Sequence, residues 1–155
     1  MHRVLVLGAG KIGALVTGLL GESGDYRVMV ADVDGSQAKA VVEAHGLESV
    51  KAFELDASDS GALRSHLQKH PADAILSGLP YFCNEGVAAI AAELETHYFD
   101  LTEDVAVTNA VRSLAEGSGK AFAPQCGLAP GFVSIAANEL MAHFDEVRSV
   151  KLRVG

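Results

Sequence analysis

The chain has 155 residues, 49% of them hydrophobic, and twenty acidic against twelve basic side chains give a net charge of −8. That composition excludes a disordered chain and is enough for one domain with a real core. The negative balance disfavours nucleic acid and anionic membranes as partners. Two widely separated cysteines, Cys83 and Cys126, and no apolar run near the ~18 residues of a membrane span argue against a disulfide framework, a signal segment or a membrane anchor; a reducing cytoplasm is the expected setting.

Strand and helix patterns alternate from the first residues. Residues 4–7 are continuously apolar, as a strand covered on both faces must be. After Gly13 the period changes: Ile12, Leu15, Val16 and Leu19 fall on one helical stripe, expected to face the core. Residues 28–31 form a second buried run that closes on Asp32. Asp34, Gly35 and Ser36 make a turn and cap for a helix with Ala38, Val41 and Val42 inward. Residues 50–55 read as a third strand, and Asp59 or Ser60 caps a helix carrying Leu63 and Leu67. Residues 74–76 are a fourth strand, and Asn84 is the expected cap of the next helix, with Val87, Ile90, Ala91 and Leu94 on its stripe. Residues 98–101 are a fifth strand, Thr102 or Asp104 caps a helix bearing Val107 and Val111, and residues 120–123 are a sixth. Together these predict a Rossmann-type doubly wound α/β domain over residues 1–125, a parallel sheet of about six strands in the order 3-2-1-4-5-6 with helices on both faces.

Residues 126–155 differ in character. A loop rich in proline and glycine leads to a helical stripe of Val133, Ala136, Ala137, Leu140 and Phe144. Then Val150, Leu152 and Val154 alternate with polar residues, as in a strand with one buried face. The expectation is a connection into a second domain, for substrate and dimerisation, that this chain lacks.

The stretch Gly8-Ala9-Gly10-Lys11-Ile12-Gly13 fits a dinucleotide loop, because it follows the first strand and opens a helix. Gly8 permits the tight turn, Gly10 lets a pyrophosphate approach the backbone, and Gly13 lets the helix pack closely on the strand. The free N–H groups and partial positive charge of the helix N-terminus face the phosphates. Lys11 is expected to be exposed nearby. Asp32, with Val33 beside it, ends the second strand about twenty residues on, where a carboxylate accepts from both ribose hydroxyls and repels a 2′-phosphate. Asp34 adds charge and no arginine follows at once, so NAD is expected ahead of NADP. Asp56 and Ala57, after strand three, are expected beside the adenine. Ser77, Gly78, Leu79 and Pro80, after strand four, are expected at the switch in strand order. FAD and AMP are other ligands this loop would admit.

Two further segments point to a family. His97-Tyr98-Phe99-Asp100-Leu101-Thr102 and Cys126-Gly127-Leu128-Ala129-Pro130-Gly131, with the glycine loop, resemble the saccharopine dehydrogenase family, and most the saccharopine-reductase-like and lysine 6-dehydrogenase members. These carry Tyr-x-Asp-Leu at strand five and a Gly-Leu-x-Pro-Gly loop before the helix joining the domains; Ala129 stands where many relatives have aspartate. The resemblance implies NAD(P)-dependent hydride transfer at a CH–NH bond of an amino acid, an amine, or the corresponding imine or saccharopine-type adduct. It implies a nicotinamide and substrate cleft lined by Asp100, Leu101, Thr102, Cys126, Gly127, Leu128 and Pro130, and a homodimer formed through the second domain. It assigns no catalytic residue within this chain.

Cys126 is expected to be a buried, inert thiol and Cys83 a small core or cap residue. His97 is expected at the surface or capping, and His45, His66 and His70 solvated. Tyr81 and Phe82 are expected to pack beside the cleft, and no residues have metal-ligand spacing. A different class of function, a regulatory nucleotide-sensing domain, would use the same glycine loop and acid but has no need of the Gly-Leu-x-Pro-Gly loop. A short-chain reductase would need a Tyr-x-x-x-Lys pair, which the chain lacks.

Overall fold

The structure, a computed structural model, describes residues 1–46 and 49–154. The elements follow in the order β1 (His2–Leu7), α1 (Lys11–Glu22), β2 (Tyr26–Asp32), α2 (Gly35–His45), β3 (Val50–Glu54), α3 (Ser60–Lys69), β4 (Ala74–Ser77), α4 (Tyr81–Glu93), β5 (His97–Asp100), α5 (Val105–Ala115), β6 (Phe122–Ala123) and α6 (Phe132–Met141). The strands form one parallel sheet in the order β3-β2-β1-β4-β5-β6. This is the Rossmann-type sheet that the alternating pattern predicts.

The continuous apolar runs bury both faces of the central strands. Leu5 and Leu7 join Leu63, Leu67, Val87, Ile90, Val107 and Val111 in a core under α3, α4 and α5. Val4 and Val6 face the other way, into a smaller core with Ala38 and Val41 of α2 and with Ala14, Val16 and Leu20 of α1. Alternation along β1 thus assigns α1 and α2 to one face and α3 to α5 to the other.

Helix starts follow side-chain chemistry. Asp34 accepts from the Ser36 N–H to cap α2, Asp59 from the N–H groups of Gly61 and Ala62 to cap α3, and Asp104 from that of Val107 to cap α5. Asn84 does not cap α4. That helix begins at Tyr81 after Pro80, and Asn84 lies buried within it. A proline one residue ahead of the helix fixes φ near the helical value and ends the preceding extended segment, a start signal as strong as the amide.

Three other expectations are corrected. Of the stripe of α1, Val16 is half-buried against the core as expected, but Ile12, Leu15 and Leu19 face solvent, 52%, 55% and 60% exposed, while Gly13, Thr17, Gly18 and Gly21 are buried. Small residues let the α1 backbone lie close to β1 and β2, and that close approach, not the bulk of leucine, decides which side turns inward. His66 is half-buried rather than solvated, with its ring edge-on to Phe53. The alternating segment at 149–154 forms no strand, since no other strand among the described residues lies beside it to complete a ladder.

Candidate functional site

β1 and β4 are neighbours, with Leu7 opposite Ser77, and the chain leaves them on opposite faces. This divergence opens a crevice at the carboxyl ends of the strands. Its floor is tight: the Gly8 N–H donates to the Ala31 carbonyl and the Gly78 N–H to that of Leu7, each at 2.8 Å. Gly8 has φ +92°, a conformation that glycine takes without penalty. A Cβ on Gly13 would be driven into the Gly8 carbonyl oxygen, so the loop closes on the helix only because position 13 has no side chain.

Gly10 is the N-cap of α1, and no side chain caps this helix, in contrast to α2, α3 and α5. No heavy atom lies within 4 Å of a Cβ built on Gly10. The first-turn N–H groups therefore open on a cradle that a phosphate fits and a side chain would fill. These observations match the needs of a dinucleotide pyrophosphate.

Asp32 ends β2 beside this loop. Its Oδ2 accepts from the Ala9 N–H at 2.7 Å and its Oδ1 from the Asp34 N–H at 2.9 Å. The carboxylate therefore braces the glycine loop as well as facing the crevice, a role with no signal in the sequence beyond the spacing. It keeps lone pairs for a diol. Two more carboxylates stand close by. Asp34 is held below its usual pKa by hydrogen bonds from the Ser36 hydroxyl and N–H, and Asp56 in the same way by Ser58.

Two cavities share Gly78 and Leu79. One, of about 390 Å³, is bordered by Gly8, Gly10, Asp32, Val33, Asp56 and Ala57, and also by Pro80. The other, of about 850 Å³, is bordered by Leu101 and Thr102. Lys11 and Ile12 are exposed on the first turn of α1, and Ala9 is buried beneath the loop. Residues that sequence reasoning did not assign also border these cavities: Gln37, Ser58 and Cys83 in the first, Glu103, Val105 and Ala106 in the second. Each lies within a few residues of a strand's carboxyl end, the one signal that could have found them. Tyr81 and Phe82 stand edge-on to each other at 5.8 Å, one bordering each cavity; both are exposed.

Two residues expected at the cleft are withdrawn from it. Ser77 is buried, and its hydroxyl donates to Asn84 Oδ1 at 2.7 Å. Asp100 is 0% exposed. Its Oδ2 accepts from the Tyr98 hydroxyl at 2.8 Å, and its Oδ1 from the N–H groups of Thr102 and Gln125 at 2.9 and 3.2 Å. A carboxylate so enclosed cannot touch a ligand. It ties the loop after β5 to the loop after β6, and the Asp100 carbonyl adds a bond from the Cys126 N–H. The same burial, with Asp100 alongside, pushes the Tyr98 phenol far above its usual pKa.

The loop of Cys126, Gly127, Leu128 and Pro130 packs on the end of β5 without bordering either cavity. A Cβ on Gly127 would sit 3.2 Å from the Leu101 carbonyl oxygen. Gly131 has φ +124°, and a side chain there would strike the Gly127 carbonyl, which explains the glycine that ends this motif. Cys126 is exposed rather than buried, yet partial burial and Asp100 raise its pKa, so it is not an activated thiol. The His97 Nδ1 accepts from the Ala121 N–H at 2.9 Å and so serves the sheet edge. Among the described residues no group of three or more His, Cys, Asp or Glu is placed to hold a metal, and no helix is long and apolar enough to cross a membrane.

Comparison with known proteins agrees with this geometry. The family model described as the saccharopine dehydrogenase NADP binding domain matches residues 4–123. The solved saccharopine dehydrogenase (L-Glu forming) of Saccharomyces cerevisiae superposes with a TM-score of 0.77 at 26% identity, over 92% of this chain and 31% of that one. A putative myo-inositol dehydrogenase from Sinorhizobium meliloti gives a TM-score of 0.67 at 20% identity, over 92% and 41%. The WlbA dehydrogenase from Bordetella pertussis, in complex with NADH and UDP-GlcNAcA, gives 0.61 at 18%, over 77% and 35%. The last two likenesses concern the fold alone, and the chain spans about a third of the length of the yeast enzyme. With the family model covering residues 4–123 and the nucleotide cradle in place, the chain belongs to the saccharopine dehydrogenase NAD(P)-binding domain family of oxidoreductases.

Proposed function

We propose that this chain is the cofactor domain of an NAD-preferring oxidoreductase that acts on the CH–NH bond of an amino acid, or on its imine or saccharopine-type adduct. The observation that carries the cofactor choice is Asp32, bonded in place at the end of β2 with Asp34 beside it. A 2′-phosphate would meet two carboxylates there, whereas the two hydroxyls of an NAD ribose would meet acceptors. The family description names NADP, which makes this preference the point to test.

Gly8, Gly10 and the α1 N-terminus hold the pyrophosphate, and Asp56, Ala57 and Val33 border the adenosine end. Gly78, Leu79 and Pro80 lie at the centre, and Leu101 and Thr102 border the larger cavity that receives the nicotinamide and substrate. Cys126, Gly127, Leu128 and Pro130 lie behind Leu101 and support that wall from the end of β5. The bound nicotinamide supplies the hydride chemistry, while the chain orients it and excludes water. Residues 126–155 lead into a second domain that completes the substrate site and forms a cytoplasmic homodimer. The amine substrate class rests on the family and on the Tyr98–Leu101 and Gly127–Gly131 motifs.

Calorimetric titration with NADH and with NADPH tests the cofactor reading. NADH should bind more tightly, and Asp32→Ala should weaken it and narrow the gap. Equal or tighter NADPH binding by the unaltered chain would sink the NAD preference. The substrate reading is tested by NADH oxidation and NAD⁺ reduction in the complete polypeptide with saccharopine-like and lysine-like compounds. Turnover of hydroxy compounds alone would overturn it.

A further inference from the structure

The end of the sheet remote from the glycine loop carries another cavity, of about 580 Å³. The strand register builds it. Arg3 on β1 pairs with Arg27 on β2, and Met29, two residues on, pairs with Lys51 on β3. Alternation sets Arg3, Arg27 and Lys51 on the same face as Leu5, Met29 and Phe53, the face that α3 covers. But α3 ends at Lys69, so at this end the sheet is uncovered, and Lys69 and His70 overhang the gap. Four of the chain's twelve lysines and arginines thus border one cavity in a molecule of net charge −8.

The charges are unequal in role. Arg3 is neutralised by Asp73, with Nη2 2.6 Å from Oδ1. Lys69 and His70 also face the partial negative end of α3. Arg27 and Lys51 have neither compensation: among the described residues no carboxylate lies within ion-pair distance of either. Behind this wall lies His66, which does not itself border the cavity. His66 Nε2 is buried with no hydrogen-bond partner, its ring 4.7 Å from Phe53 and 5.0 Å from His70, both of which border the cavity. Arg27 and Lys51, open to the cavity and without a carboxylate partner among the described residues, are the pair that an anion there would satisfy.

We propose that this cavity is a second binding site, for a small polyanion such as a diphosphate or a polycarboxylate, separate from the dinucleotide cleft. The cations are spread over three strands, each about 4.8 Å from the next. A ligand with charge distributed over a similar width satisfies more of them than one compact ion does. The site lies about 20 Å from the glycine loop, the length of β1. Both sites can therefore be filled at once.

Backbone amide NMR titrations with pyrophosphate and with citrate at low ionic strength test this directly. Saturable shifts should map to residues 27–29, 51–53 and 69–70. In the double variant Arg27→Ala/Lys51→Ala the affinity should fall at least about tenfold. Lys51→Arg should retain binding, and the NADH titration should be unchanged in all variants. Shifts confined to residues 8–13 would mean that the glycine loop takes the anion, and would overturn the proposal. So would shifts that do not saturate, or equal affinity in the double variant. Because the readout is local to the remote end, failure here leaves the cofactor reading untouched, and loss of NADH binding leaves this one standing.

Discussion

Gly10→Val adds its side chain to open space, since nothing lies within 4 Å of a Cβ at that position and its φ of −67° suits any residue. The variant should therefore fold with an unchanged melting temperature while the valine occupies the phosphate cradle. NADH affinity should drop by two orders of magnitude or more, roughly the ~3 kcal/mol of charge-assisted bonds lost. Normal binding would place the phosphates elsewhere. Asp100 behaves in the opposite way: three donors converge on a buried carboxylate, so its replacement is felt in folding first. Asp100→Ala leaves those donors unpaired and should cost on the order of 3 kcal/mol in denaturant unfolding. Asp100→Asn should cost far less, because its carbonyl can still accept from Thr102 and Gln125 while Tyr98 turns to the Asn84 carbonyl 3.3 Å away. The glycine loop and its acid were legible because their chemistry is local and their spacing fixed. The withdrawal of Ser77 and Asp100 from the cleft was not, because strand alternation at a site says which face a side chain takes and not how deeply the neighbouring helix buries it.

Element boundaries and caps were the most readable level, since an aspartate ahead of an apolar period has one job that a local sequence can reveal. Asp104→Ala should cost about 1 kcal/mol through loss of the bond to the Val107 N–H, measurable as a shift in denaturant midpoint. The orientation of α1 was unreadable by the same logic. Periodicity finds two faces, one of Ile12, Leu15 and Leu19 and one of Gly13, Thr17 and Gly21, and hydrophobicity picks the first. The sheet picks the second, flanked by Val16 and Leu20, because small side chains at its centre let the helix approach the strands closely behind the glycine loop. Leu15→Gln and Leu19→Gln should thus change the stability of this chain by no more than about 0.5 kcal/mol. Gly13→Ala, which sets a methyl against a backbone oxygen that cannot yield, should abolish NADH binding and lower the melting temperature. A large loss of stability from the leucine replacements would show that the stripe is buried in solution. The exposed stripe, with Phe132, Ile135 and Leu140 of α6, is apolar surface of the kind that partners cover.

Across the sheet, strand order followed from the alternation of two periods, whereas the fate of residues 149–154 did not, since a strand exists only with a partner. Global pH dependence then follows from the few groups the fold perturbs. His66 is held below its usual pKa by burial, then by His70 and Lys69. The unfolded chain binds that proton more readily, so this stability is present above about pH 6.5 and is lost as pH falls through that value. Asp73, drawn down to about 2 by its hydrogen bonds from Arg3, contributes above the ordinary carboxylate range and is lost between about pH 4 and 2. Tyr98 has the opposite sign. Its phenol is raised by burial and by Asp100, so the unfolded state gives up the proton first, and stability is lost as pH rises past about 10. Melting temperatures should form a plateau between roughly pH 7 and 9 and fall on both sides. Tyr98→Phe should lower the plateau, because Asp100 Oδ2 loses its donor, yet make the alkaline limb shallower than that of the unaltered chain. An alkaline limb of equal steepness in both proteins would mean that another group governs it and that Tyr98 ionises without unfolding the sheet.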